Sequence, residues 1–87
     1  MAEKAQIEAI NKVIEEYFKT NNDIDKVLAK NLMPNFIKAG IFEKDHRQGL
    51  PIRKLLRELD EVKHLQLIPN VLPERKKVNT NWYFIRK

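Results

Sequence analysis

Between Gly49 and Val62 the apolar residues Ile52, Leu55, Leu56, Leu59 and Val62 recur at spacings of three and four. That rhythm puts them on one face of a 3.6-residue helix. Arg53, Lys54, Arg57 and Glu61 fall on the other faces. Pro51 suits the start of the helix, where its missing N–H costs nothing. Gly49 permits a sharp turn into it. After Val62 the rhythm changes to alternation, which is the period of a strand. A helix with an apolar back and a basic front, followed by two short β-like runs, limits the folds open to this chain.

The other elements are read outward from this helix. Residues 4–19 are expected to form an amphipathic helix with a stripe of Ile7, Ile10, Ile14 and Tyr17, widened by Val13 and Phe18. Glu8 with Lys12 and Glu15 with Lys19 are (i, i+4) pairs with the acid first, the favoured order. Thr20-Asn21-Asn22-Asp23 ends that helix. Residues 24–39 read as a second helix, broken near Met33, with Pro34 in the first turn of its second piece. Gly40 is suited to close it in the left-handed conformation. Ile41 and Phe42 are read as a short bridge or a pair of core anchors. Leu65, Leu67 and Val71 suggest a strand over about 65–71, and Trp82 to Ile85 lie in a last strand over 80–85. Pro69 and Pro73 favour an edge position. Ile14, Leu28, Phe36, Leu55, Leu59 and Phe84 are the expected core. Trp82, Tyr83 and Phe84 cannot all face inward on one strand, and partial burial of all three is expected.

Eighty-seven residues make one domain, 1–87, with a modest core. There is no cysteine, so disulfides and thiolate metal sites are excluded. No apolar run approaches a membrane span, and the N-terminus lacks a signal-peptide layout. A cytoplasmic protein is the expectation. The net charge of +5 is unevenly spread. Residues 1–45 hold seven lysines against eight acids, whereas residues 46–87 hold ten basic residues against four acids. All five arginines lie in that second part. The planar arginine fork suits phosphate and guanine edges.

The succession helix, helix, helix, strand, basic loop, strand resembles the winged helix-turn-helix superfamily. Leu50 to Val62 carry the resemblance as the third helix, with Leu56-Arg57-Glu58-Leu59 at its end, and His64 to Ile85 carry it as a hairpin. Phe36 to Phe42, Gly49 to Arg53 and Asn79 to Phe84 also look like a group of short uncharacterised bacterial proteins. The resemblance implies an α+β fold, a three-helix core followed by a C-terminal β-hairpin wing. It implies nucleic-acid binding, in the first place to double-stranded DNA, as in a small transcriptional regulator. Two departures bear on this: the linker from Gly40 to Leu50 is long, and Glu58, Asp60 and Glu61 make the end of the third helix acidic. Groove contacts are therefore expected from its N-terminal half.

Two basic clusters follow as candidate nucleic-acid-binding residues. Arg47, Gln48, Arg53, Lys54 and Arg57 would form the face of the third helix. Arg75, Lys76 and Lys77 would form the wing. Phosphate neutralisation supplies affinity and base-edge contacts supply specificity. The bland alternative is a pair of solvated faces. A second functional reading is a protein-interaction or homodimerisation module on the same scaffold, using Leu72, Val78, Tyr83 and the first helix. Catalysis has little to stand on. Asp45 and His46 are neighbours in a loop, His64 suits a helix end, no serine is present, and no metal-ligand spacing occurs. No enzyme activity, cofactor or metal is expected.

Overall fold

The computed structural model describes residues 3–87. It is an α+β fold of three helices and one three-stranded antiparallel sheet. The elements run α1 (Lys4–Thr20), β1 (Lys26–Leu28), a 3-10 turn (Ala29–Leu32), α2 (Met33–Lys38), α3 (Leu50–Glu61), a second 3-10 turn (Leu65–Leu67), β2 (Val71–Arg75) and β3 (Thr80–Ile85). The strand order is β1-β3-β2.

Helix α1 buries Ile7, Ile10, Ile14 and Phe18, the stripe that its 3.6-residue rhythm dictates. It ends where Asn21 donates both its backbone N–H and its side-chain amide to the Tyr17 carbonyl, at 2.9 and 2.8 Å. Helix α3 buries Ile52, Leu55, Leu56 and Leu59. Pro51 lies in its first turn.

The segment expected as the first half of a second helix is different. Lys26–Leu28 is a strand, paired with β3 at Lys26↔Ile85, Val27↔Phe84 and Leu28↔Tyr83. Long-range pairing outweighs local helix propensity here, as it readily does for three residues. The break at Met33 and the place of Pro34 agree with the expectation: α2 starts at Met33 with proline in its first turn. Gly40 has φ 79°, and its N–H reaches the Ile37 carbonyl at 2.9 Å, closing α2. Ile41 and Phe42 are anchors packed on the core, not a bridge. Phe36 sits edge-on to both Phe42 and Phe84, at ring-centroid distances of 6.1 and 6.2 Å.

The strand expected from residue 65 begins only at Val71. Leu67 N–H donates to His64 O and Ile68 N–H to Leu65 O, the i→i+3 pattern of a 3-10 turn. The alternation had placed Leu65 and Leu67 inward. Instead Ile68 is fully buried and Leu67 is 44% exposed. The Asn11 side chain donates to the Leu67 carbonyl at 2.8 Å and ties this turn to α1.

Strand β2 contains Pro73, which its register explains. Ile85 N–H donates to Asn70 O and Lys76 N–H to Asn79 O, both at 2.8 Å. Hydrogen-bonded pairs alternate along an antiparallel ladder. Pro73, paired with Trp82, therefore falls at a position whose N–H would point to the free edge.

Trp82 and Phe84 are buried while Tyr83 is half-buried, which corrects the expectation of partial burial for all three. Side chains alternate across a strand, so the two inward rings leave the third on the outer face. The Lys26 ammonium lies over the Tyr83 ring, 4.2 Å from its centroid. Leu28 pairs with Tyr83 on that outer face and is likewise half-buried, so it is not a core residue. Ile14, Phe36, Leu55, Leu59 and Phe84 are buried as expected.

Candidate nucleic-acid interface

Of the candidate residues, Arg47, Gln48 and Arg53 gather around the N-terminal turn of α3. Arg47 and Gln48 both have φ 51°, and Gly49 has φ 87°. Three successive left-handed residues are costly for L side chains other than glycine. Two contacts hold this bend. The Asp45 carboxylate accepts from the Gly49 N–H at 2.8 Å. The Arg53 guanidinium reaches back to the Gln48 carbonyl at 3.2 Å and also to the Arg47 carbonyl. The Asp45 carboxylate is thus engaged by the backbone of the bend.

Gly49 is required here for space as well as for φ. A Cβ at this position would stand 2.4 Å from the Lys30 Cβ and 2.8 Å from its Cα. The 3-10 turn after β1 and the start of α3 are therefore in direct contact, and Lys30 stands beside Arg47 and Gln48.

Two adjoining clefts run between this region and the β2–β3 hairpin. The larger, of about 530 Å³, has Leu28 and Lys30 on one side, Arg47, Gln48 and Arg53 on another, and residues 79–83 of the hairpin opposite. Among the described residues no acidic side chain lines it. The smaller, of about 230 Å³, lies between Arg53, Arg57 and Asp60 of α3 and Val78, Asn79, Thr80 and Trp82 of the hairpin.

The sequence-predicted residues separate into three groups. Arg47, Gln48, Arg53 and Arg57 share these clefts. Lys54 is exposed on α3 but lines neither cleft, and Lys76 and Lys77 are exposed at the hairpin turn. Arg75 is engaged elsewhere: it forms a two-pronged ion pair with Asp60, at 2.9 and 2.8 Å. Its hydrogen bonds and charge hold the Asp60 carboxyl below the usual carboxylate value, and the same bonds with the Asp60 charge raise Arg75 further. The pair neutralises the acid nearest the smaller cleft. Glu58 and Glu61 line neither cleft.

Lys30, Asn79, Thr80 and Asn81 line the larger cleft without having been singled out by sequence. The Asn79-Thr80-Asn81 run entered through the resemblance to short bacterial proteins, with no binding role attached. Lys30 was hidden by the helical reading of residues 24–39. Among the described residues no group of three His, Asp or Glu side chains is placed to hold a metal ion, and no helix is long and apolar enough to cross a membrane. Comparison with protein-family models, with curated proteins and with solved structures returned no match to this chain.

Proposed function

We propose that this chain is a nucleic-acid-binding domain of the winged helix-turn-helix kind. It engages double-stranded DNA with the N-terminal half of α3 and with the β2–β3 hairpin as its wing. The observation that supports this best is the shared cleft: Arg53 and Arg57 of α3 face Val78 to Thr80 of the hairpin across it. The basic residues of α3 and the hairpin thus wall one cleft, with Lys76 and Lys77 exposed at the adjoining hairpin turn. The order of elements, three helices with a three-residue strand after the first and then a hairpin, also supports the reading. The site makes phosphate contacts through Arg47, Arg57, Lys76 and Lys77, with Gln48 and Lys54 free to reach base edges. Arg53 shapes the turn that presents them.

Gel-shift titration with random-sequence duplex at two salt concentrations tests the reading. Binding at low salt should fall steeply as salt rises. Lys76→Ala should weaken all sequences alike and lower the salt slope by about one. No shift at low salt would end the nucleic-acid reading.

One observation favours a second reading, as a protein-interaction or homodimerisation module. Leu72, Tyr83 and Leu28 form a cross-strand row on the outer face of the sheet. Leu72 is 37% exposed, and Val78 at the hairpin turn is 86% exposed. Under that reading Lys76→Ala is silent, and Leu72→Glu abolishes an association seen by analytical ultracentrifugation.

A further inference from the structure

Strand β3 outruns β1, and its uncovered part opens into the larger cleft. The hydrogen-bonded pairs with β2 fall at Ile85 and Asn79, so by alternation Thr80 and Trp82 turn their N–H groups away from β2. On that other side the β1 ladder stops at Leu28, opposite Tyr83. The chain then leaves the sheet in the 3-10 turn. In that register Trp82 stands opposite Ala29, the first residue after β1, so it is the N–H of Thr80 that points past the end of the ladder, and Thr80 lines the cleft.

Backbone donors at an open strand edge bind anions when positive charge surrounds them. Here Lys30, Arg47 and Arg53 surround that of Thr80, and no acid lines the wall among the described residues. Neither Lys30 nor Arg47 is part of an ion pair among the described residues. Arg53 has its guanidinium on the carbonyls of the turn and contributes charge without a free fork. Gln48 supplies a neutral donor at the same wall.

We propose that this cleft is a phosphate-binding site, and that it seats one phosphate of the nucleic-acid backbone, held by Lys30, Arg47 and the N–H group of Thr80. The proposal rests on the nucleic-acid reading for the source of the phosphate, and on the cleft alone for its chemistry. It extends the interface beyond α3 and the hairpin turn to the 3-10 turn after β1.

The test uses the full chain as wild type, Lys30→Gln, Arg47→Gln and, as a control on the wet side of α1, Lys12→Gln. Lys30→Gln keeps the Cβ on which Gly49 rests. Affinity for random duplex is measured at about 50 and about 200 mM salt. Each groove variant should reduce the salt-dependent loss of affinity about three- to fourfold, the share of one phosphate contact, while Lys12→Gln leaves it unchanged. If both groove variants keep the wild-type salt dependence, the phosphate site is overturned and the nucleic-acid reading stands. If the wild type binds no duplex, the nucleic-acid reading fails, and backbone amide NMR of the wild type decides the site. Movement of the Thr80 amide resonance with inorganic phosphate, but not with chloride at equal ionic strength, would retain it as a site for a free phosphorylated ligand. No movement would overturn it.

Discussion

Arg75 and Asp60 meet guanidinium to carboxylate, both oxygens engaged, and so fasten β2 to the last turn of α3. The two residues are fifteen positions apart, and the pair fixes the tilt of the hairpin against the helix whose other half it faces. Arg75 was expected to touch nucleic acid. In the structure its guanidinium is paired with Asp60, which lines the smaller cleft.

The pair makes a pH prediction. Folding lowers the Asp60 carboxyl, so its contribution is fully present above the unfolded value near 3.9 and is lost as pH falls through the folded value. Arg75→Gln should lower the urea midpoint at pH 7, and Asp60→Asn added to it should change little more. At pH 3 the difference between wild type and Arg75→Gln should shrink. Both groups are partly solvated, so added salt should shrink it as well.

The apolar face of α3 carries a larger effect. Leu56 is fully buried and Leu59 nearly so. Leu59→Ala should cost about 2–5 kcal/mol, read from chemical denaturation, because surrounding side chains only partly close the void. A loss below about half a kilocalorie would mean that this face is not the core.

These two faces of α3 show how much was legible in sequence. Helices α1 and α3, the break at Met33 and the left-handed Gly40 all follow from spacing and from the chemistry of proline and glycine. Strand β1 does not, because three residues carry no period and their partner lies across the chain at Phe84. The 3-10 turn at Leu65–Leu67 imitated a strand because alternation over so few residues also fits a single tight turn. Among the candidate residues, Arg47, Gln48 and Arg57 were legible as a polar, mainly basic patch before and on a helix. The use of Arg53 on its own turn and of Arg75 on Asp60 was not, because charge pairing between distant elements leaves no local pattern.

Arg86 is a second tether that sequence did not mark. Its guanidinium donates to the carbonyls of Phe18, Asn21 and Ile24 at 2.8, 2.7 and 2.6 Å, and to the Asp25 carboxylate at 3.0 Å. It also lies over the Phe18 ring. Arg86→Ala should lower stability by about 2–3 kcal/mol, because hydrogen bonds to a charged donor are lost together. Arg86→Lys should recover only part of this in a thermal melt, since one ammonium cannot span the three carbonyls as the planar fork does.

Pro73 protects an edge. Among the described residues the outer side of β2 has no strand beside it, and proline removes a donor from its middle. Pro73→Val restores that N–H and should promote concentration-dependent association, detected by sedimentation velocity. Unchanged sedimentation across a hundredfold concentration range would show that another feature guards the edge.

The central place of β3 bears on how this chain acquires its fold during synthesis. Its partners are β2, a few residues upstream, and β1, whose paired residues lie 55 to 59 positions away, from Leu28↔Tyr83 to Lys26↔Ile85. Until residues 80–86 leave the ribosome, no sheet exists, and the helices lack Trp82 and Phe84 as packing partners. The helical part must wait as a loose, exposed assembly, and the closing step joins the most distant contacts in the molecule. Assembly should therefore be governed by the arrival and docking of β3, with the slow rates that long-range pairing imposes, even though most residues in regular elements lie in helices that form locally within microseconds.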